Sequence, residues 1–534
     1  MSTVMTSGSL LDVAFDTLPA LIHRHALAQP RHPALRDQHA TLTYAELDDH
    51  IERIAAALQR DGILPQQAVA ICAANSVDYA VVFLGCLRAG VTVAPLAPSS
   101  TAVQLHGMLR DAHARLLFLD ADAAALLAAT GIDPALRCIG IGAVPPADGV
   151  RAPAVQITAL AAWSAAPGSR ADAVTIDPAW AFNIIYSSGT TGTPKGIVQS
   201  HAMRWAHVQR GELVGYGPQA LTLLATPLYS NTTLVSFFPT LALGGCVILM
   251  ARFDARAYLA LASQYRVTHT MLVPVQYQRI LALPEFDQAD LSAFQIKFCT
   301  SAPFAATLKA EVLRRWPGGL VEYYGMTEGG GTCMLAAHLH PDKLATVGTP
   351  APGHDIRLID ERGEAVAVGQ TGEVVGRSPA MMSGYFGQPQ KTTEAEWISP
   401  EGLRFIRTGD IGRFDADGFL TLLDRKKDMV ISGGFNLYPS DLEAVLREHP
   451  DLGDVAVTGV ASTRWGETPV AFVVPRAERA IDADALLAWA NARLGKMQKL
   501  AAVTILDCLP RSPIGKVLKR ELRERFSAER GTLD

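Results

Sequence analysis

The stretch Ala181-Phe-Asn-Ile-Ile-Tyr-Ser-Ser-Gly-Thr-Thr-Gly-Thr-Pro-Lys-Gly196 joins an apolar run to a loop dense in polar groups. The run Ala181 to Tyr186 has the length and composition of a buried strand. The loop after it gathers five hydroxyls (Ser187, Ser188, Thr190, Thr191, Thr193), three glycines (Gly189, Gly192, Gly196) and Lys195. Backbone N–H groups, hydroxyls and an ammonium brought together in this way suit one polyanion. Glycine permits the close backbone approach because it has no side chain. The order is not that of the Walker loop, which needs Gly-Lys-Ser/Thr at the start of a helix. Here Pro194 precedes Lys195.

Around this loop the chain alternates between strand and helix signals. Thr43 and Glu46 form a capping box, followed by Leu47, Ile51, Ile54 and Leu58 at helical spacing. Val69 to Cys72, Val91 to Pro95, Leu116 to Leu119, Thr222 to Ala225, Cys246 to Leu249 and Met271 to Val273 read as short buried strands, and Tyr79 to Arg88 as a helix. Such alternation predicts an α/β fold with parallel sheets wrapped by helices. Ala143 to Ala154 reads as a loop.

Near Asp410 the texture changes to short strands and turns, and the charged run Asp424-Arg-Lys-Lys-Asp428 follows. The expected boundary falls there, giving a large domain over 1–426 and a small α+β domain over 427–534. In the small domain, Ser440 and Glu443 read as a second capping box opening a helix that Pro450 ends. Strands are expected over Asp454 to Val460, Val470 to Val474 and Ala501 to Leu506, and a helix over Ala483 to Leu494. The charged tail from Lys516 to Arg530 is expected to face solvent.

The 534 residues suggest about three or four domain-sized units. A net charge of −5 argues against a basic nucleic-acid face. No apolar run reaches eighteen residues, and the first residues lack a signal-peptide pattern. The seven cysteines include no C-x-x-C pair, which fits reduced thiols and gives no zinc site. These features predict a cytoplasmic protein. Cys299 and Cys333 read as packing residues.

Five further segments, in order, join the Ser/Thr/Gly loop: Ala302-Pro303, Tyr324-Gly-Met-Thr-Glu328, Thr408-Gly-Asp410, Asp424 to Asp428 with Ser432-Gly-Gly-Phe-Asn-Leu-Tyr-Pro439, and Pro510-Arg-Ser-Pro-Ile-Gly-Lys516. From about residue 40 to 525 the chain resembles the adenylate-forming enzymes: acyl-CoA synthetases, luciferases and peptide-synthetase adenylation domains. The resemblance implies a large domain of helix-wrapped sheets and a small mobile α+β domain. It implies an ATP-dependent carboxylate–CoA ligase that makes an acyl-adenylate and releases AMP and pyrophosphate. The alternative is an acyl-AMP ligase that loads an acyl-carrier protein.

ATP, Mg²⁺ and coenzyme A are the implied cofactors. Ser187, Ser188, Gly189, Thr190, Thr191 and Gly192 would cradle the phosphates with Lys195. Ala302, Pro303, Tyr324 and Gly325 would line the adenine pocket. Thr327 would meet phosphate, and Glu328 would help to hold Mg²⁺, a hard cation that takes one or two carboxylates plus phosphate oxygens. Asp410 matches the ribose-binding aspartate; an acceptor-only carboxylate suits a vicinal diol. Arg425 matches an arginine that reaches the ribose, Lys427 the hinge residue, and Lys516 the lysine of the adenylation step. Gly433 and Gly434 would clear the pantetheine tunnel.

The acyl pocket is assigned by segment alone to Trp205, Tyr229, Thr232, Gln276, Thr300, Gly329 and Gly330, with Gly331 completing a triplet that reads either as room for a bulky acyl group or as a turn. Two departures from the pattern stand out. Cys299-Thr-Ser301 replaces a commoner Gly-Gly form, and Ser230-Asn231 stands where many CoA ligases carry a histidine. His201 reads as structural. The implied partners are a small carboxylic acid and CoA, with no nucleic acid and no membrane span. A homodimer and a protein acetyltransferase acting on Lys516 complete the expectations.

Overall fold

The computed structural model describes residues 9–130, 136–142, 157–187, 195–432, 435–495, 498–512 and 515–533. The expected loop over Ala143 to Ala154 lies outside them, as do Ser188 to Gly192, Gly433 and Gly434. The chain forms two compact units: 1–344 with 351–355 and 377–406, and 345–350 with 356–376 and 407–534. This partition follows contacts, and it groups 407–426 with the C-terminal residues rather than dividing at 426.

In the first unit, one sheet runs in the order Gly384–Tyr385, Lys195–Ser200, Ala181–Ser187, Thr92–Pro95, Ala68–Cys72, Leu116–Leu119, Arg137–Gly140 and Ile157–Ala159. From Ala181–Ser187 onward the pairs are parallel. A second sheet carries Gly319–Met326, Ile296–Cys299, His269–Leu272, Leu221–Leu224, Cys246–Leu249 and Pro33–Arg36, also parallel. Parallel strands are covered by helices on both faces, so they read as unbroken apolar runs. Ala68–Cys72 and Leu116–Leu119 are buried at every position.

Helices Tyr44–Arg60 and Val77–Arg88 pack on these sheets, the first opened by the expected Thr43/Glu46 capping box. Phe83, Phe182 and Phe238 meet with ring centroids 5.0–6.1 Å apart. They lock the strand that leads into the Ser/Thr/Gly loop against helices Val77–Arg88 and Asn231–Ala242.

In the second unit, Leu452–Ser462 and Gly466–Pro475 form a long antiparallel pair, with Ala502–Ile505 parallel to the second of them. Helices Pro439–Arg447 and Ala483–Arg493 cover one face through Leu442, Leu446, Leu486 and Ala490. Two expectations are corrected here. The helix expected to open at Ser440 begins at Pro439, with no side-chain cap from its N-cap residue Tyr438. Proline suits the first helical position because its missing N–H would be unpaired there anyway. The cap comes from outside the segment: an Asp424 carboxylate oxygen accepts from the Ser440 N–H at 3.0 Å. Glu443 instead accepts from the Val457 N–H and pairs with Arg447 and Lys519. The charged tail is not wholly solvent-facing. It forms helix Lys519–Arg530, which buries Leu522 and Phe526 and lets Arg523 pair with Asp428.

Candidate active site

The apolar run is the strand Ala181–Ser187, as expected, and it pairs antiparallel with Lys195–Ser200. Ser187 and Lys195 stand opposite each other at the mouth of that hairpin, so both ends of the loop are held in register. Tyr324-Gly-Met-Thr-Glu328 lies where Gly319–Met326 turns into Gly329–Ala336. Met326 pairs with Gly329, which leaves Thr327 and Glu328 as a two-residue turn.

The structure joins these two hairpins twice. Tyr385 donates its hydroxyl to Glu328 Oε1 at 2.9 Å, and the Lys195 ammonium lies 5.0 Å from the Tyr385 ring centroid. Burial, helped by the Glu328 charge, pushes the Tyr385 phenol well up, so it stays a donor. Beneath them, Gln199 donates to the Thr327 carbonyl at 2.7 Å. Gln199 in turn accepts from Asn183 and from the buried Arg204, whose guanidinium also bonds Asn183 and Asn231. Burial pushes the Arg204 guanidinium down to about 9. A buried charge with several hydrogen bonds rigidifies what it holds. Asn231, one of the Ser230-Asn231 pair that departs from the family pattern, is thus a structural partner of Arg204. Reading motifs one by one missed this network, because Asn183, Gln199, Arg204 and Asn231 lie on four elements and no motif spacing links them.

The three glycines after Glu328 are strand rather than open space. Gly329 and Gly330 take φ of +77° and +78°. A Cβ on Gly329 would stand 1.9 Å from the Ala380 carbonyl oxygen. The same segment donates the Met382 N–H to the Glu328 carbonyl at 2.8 Å, and Ser378 donates to the Gly330 carbonyl. Close packing and a positive φ therefore explain Gly329, and the positive φ explains Gly330.

Thr300, Ala302 and Pro303 follow strand Ile296–Cys299. Ser301 takes φ +80°, the region that favours glycine, and its hydroxyl bonds the Thr232 hydroxyl. The departure from a Gly-Gly form thus keeps a glycine-like backbone and adds a tether. Such strain persists only where the surroundings over-determine it.

Two residues assigned to the acyl pocket have other work. The Trp205 indole N–H donates to the Val13 carbonyl, and Gln276 uses both ends of its amide, on the Val273 N–H and the Ala225 carbonyl. Tyr229 is half-buried, and burial raises its phenol. His201 is buried against Phe182 and pushed down to about 4 by that burial, as suits a structural residue. Cys299 and Cys333 are fully buried with thiols pushed up by burial, which fits packing.

Within the second unit, Asp410 and Arg425 are paired across adjacent strands and joined by an ion pair of 2.8 Å. Lys516 lies near them. Its surface is exposed, but the ammonium is crowded: local burial and the Arg425 and Lys427 charges push it down to about 8, against the pull of Asp410 and Asp428. Burial also lowers Lys427.

The ion pairs change direction at Lys427. Arg425 and Lys426 pair backward, with Asp410 and Glu373, while Asp428 pairs forward, with Arg523. The contact of Asp424 with Ser440 crosses this point.

Among the described residues no three His, Cys, Asp or Glu side chains cluster as a metal site. A single carboxylate, Glu328, fits a cation that arrives already bound to nucleotide phosphates.

These features define an adenylate-forming enzyme, and the comparisons agree. Residues 22–386 match the AMP-binding enzyme model and residues 441–516 the AMP-binding enzyme C-terminal domain. A feruloyl-CoA synthase of Amycolatopsis sp is 34% identical over 94% of this chain and 98% of its own length. An indoleacetate–CoA ligase of Aromatoleum aromaticum is 33% identical over 94% of this chain and 97% of its own. The crystal structure of ATP-bound MatB from Rhodopseudomonas palustris superposes with a TM-score of 0.83, at 27% identity over 96% of this chain and 99% of that one.

The chain belongs to the AMP-binding enzyme family. It is an AMP-forming acid–thiol ligase that uses ATP, Mg²⁺ and coenzyme A. No helix among the described residues is long and apolar enough to cross a membrane.

Proposed function

We propose that this ligase activates an aromatic carboxylic acid as its acyl-adenylate and transfers the acyl group to coenzyme A. A carboxylate oxygen attacks the α-phosphorus of ATP and pyrophosphate leaves. The CoA thiol then attacks the acyl carbon and AMP leaves. Chemistry of this kind rests on positioning and charge neutralisation more than on a protein nucleophile. Lys195 and the hydroxyls of its loop hold the phosphates, and Thr327 contacts them. Glu328, oriented by Tyr385, would help to hold Mg²⁺, which would supply charge neutralisation when bound. Asp410 and Arg425 serve the ribose, Lys516 serves adenylation, and Gly433 and Gly434 serve the pantetheine route.

The observation that carries the ligase reading is the double link between the Lys195 hairpin and the Thr327–Glu328 turn. Support for an aromatic acid comes from the aryl acids named in the two relatives and from rings stacked near the site: Tyr216 on Phe298 at 5.8 Å and Phe298 on Tyr323 at 5.7 Å.

The test scores pyrophosphate release and thioester formation with cinnamate, phenylacetate, benzoate, acetate, octanoate and palmitate, each with free CoA and with a carrier protein. Aryl acids with free CoA should give the highest kcat/KM. Preference for the fatty acids would refute the aromatic reading, and transfer to carrier protein alone would refute the CoA reading.

Lys427 is the proposed hinge between half-reactions, at the boundary between 1–426 and 427–534. Among the described residues its backbone N–H finds no hydrogen-bond partner, and the flanking ion pairs divide there. Lys427→Pro would therefore cost no backbone bond but would fix φ. Adenylation should persist while thioester formation falls by about tenfold or more, since closure steps commonly gate turnover. Unaltered overall turnover would remove Lys427 from this role.

A further inference from the structure

The hairpin that holds both ends of the Ser/Thr/Gly loop carries two amides side by side. Asn183 and Gln199 are Cα partners across strands Ala181–Ser187 and Lys195–Ser200, and both are fully buried. The Asn183 –NH2 donates to Gln199 Oε1 at 2.9 Å. Two neighbouring amides can bond in either sense, because each has a donor end and an acceptor end.

Arg204 removes that freedom. It stands on helix His201–Leu213, 2% exposed, with its guanidinium 5.8 Å from the Phe182 ring and 5.5 Å from the Phe238 ring. A guanidinium donates and never accepts. Its Nε–H donates to Asn183 Oδ1 at 3.0 Å, one terminal nitrogen to Asn231 Oδ1 at 2.8 Å, and the other to Gln199 Oε1. Among the described residues its acceptors are these amide oxygens, with no carboxylate. A buried cation without a counter-ion depends on its hydrogen bonds, so each of those oxygens has to face it.

With its oxygen turned to Arg204, Gln199 presents its –NH2 the other way. There it meets the Thr327 carbonyl at 2.7 Å and, at 3.4 Å, Asn231 Oδ1. The chain of bonds runs in one sense: guanidinium to amide oxygen, then amide –NH2 to the carbonyl of the turn. Reversing the Gln199 amide would set –NH2 against guanidinium and carbonyl against carbonyl together. The Glu328 end of the turn is held by Met382 and Tyr385, and the Thr327 end by Gln199.

We propose that Arg204 and Gln199 are positioning residues for adenylation: the guanidinium fixes the sense of the Gln199 amide, and that amide holds the Thr327–Glu328 turn where it meets the nucleotide. Neither side chain takes part in the bond changes. The inference rests on the reading above that Thr327 and Glu328 serve the phosphates and Mg²⁺, and it adds what sets their place.

Gln199→Glu separates position from stability. The new carboxylate would give Arg204 a counter-ion, so the variant should melt at or above the wild-type temperature. It would also lose the –NH2 and set a carboxylate oxygen against the Thr327 carbonyl, and pairing with Arg204 would keep that carboxylate ionised. The kcat/KM for MgATP in pyrophosphate release should fall by on the order of 10²-fold, as a displacement of about 1 Å can cause. Much of that loss should appear as a raised KM for MgATP, with the KM for the acid little changed. A smaller folded fraction would lower kcat alone. Arg204→Lys keeps the charge but cannot meet three oxygens in a fork, and it should raise the same KM by several-fold.

Thermal melting and initial rates with MgATP and acid varied in turn make the test. A wild-type KM for MgATP in both variants, or a loss confined to kcat, would overturn the inference and leave the network purely structural. Should Gln199→Glu fail to fold, the same split in Arg204→Lys decides. Glu328→Gln probes the underlying reading by itself: an unaltered dependence on MgATP there would take the turn out of the nucleotide site, and this inference with it.

Discussion

Lys516→Ala should lower acyl-adenylate formation by on the order of 10²–10³, the usual effect of removing one preorganised charge contact from a developing negative charge. Thioester formation from supplied acyl-adenylate should survive, because that step needs no contact at the α-phosphate. The surroundings of Lys516 add a second signature. Local burial and the Arg425 and Lys427 charges push its ammonium down to about 8. A depressed lysine is charged below that value and neutral above it. Adenylation by the wild type should therefore fall about tenfold per pH unit once the pH passes 8, a range in which an ordinary lysine is still charged. Lys516→Arg should keep part of the activity and lose this alkaline limb, since arginine does not titrate there. Acetylation of Lys516 removes the same charge and should mimic the alanine variant. Single-turnover measurement of each half-reaction between pH 6.5 and 9.5 checks the set. Equal losses in both half-reactions, or an unchanged alkaline limb in Lys516→Ala, would refute the role.

The sequence showed those parts of the fold in which a local signal and the tertiary outcome coincide. Leu116 to Leu119 and Cys246 to Leu249 are apolar throughout, and a parallel strand with both faces covered has that pattern. Thr43 and Glu46 are three residues apart, and both bonds of their capping box form. Ser440 and Glu443 have the same spacing and fail, because Pro439 starts the helix and the cap comes from Asp424, sixteen residues earlier. Spacing cannot show a partner that tertiary structure brings in.

The site divides in the same way. Short motifs gave Lys195 and Glu328 but not what orients them. Tyr385 lies 57 residues from Glu328, and Arg204 acts through Asn183, Gln199 and Asn231.

Among the glycines whose surroundings are described, Gly329 would place a methyl group nearest to a backbone atom. Its φ of +77° is one that an L-residue adopts at about 1–2 kcal/mol. The methyl would also stand 1.9 Å from the Ala380 carbonyl oxygen, a backbone atom held by its own neighbours through the Met382 and Ser378 hydrogen bonds. Overpacking against a fixed partner costs about a further 1–3 kcal/mol. Gly329→Ala should therefore destabilise the first unit by about 2–5 kcal/mol. Relief can come only by moving the hairpin away from residues 378–382, and that would carry Glu328 away from the Tyr385 hydroxyl. Adenylation should then fall with stability and should not be restored by adding Mg²⁺. Gly387 separates the two contributions: it also has positive φ, +62°, but nothing lies within 4 Å of a Cβ placed there. Gly387→Ala should cost only about 1–2 kcal/mol, the backbone part alone, and should leave adenylation near the wild-type rate. Thermal melting and initial rates of pyrophosphate release on both variants decide the matter. If Gly329→Ala melts with Gly387→Ala and adenylates as fast, the Ala380 carbonyl does not confine the turn, and Glu328 owes its position to something other than this packing.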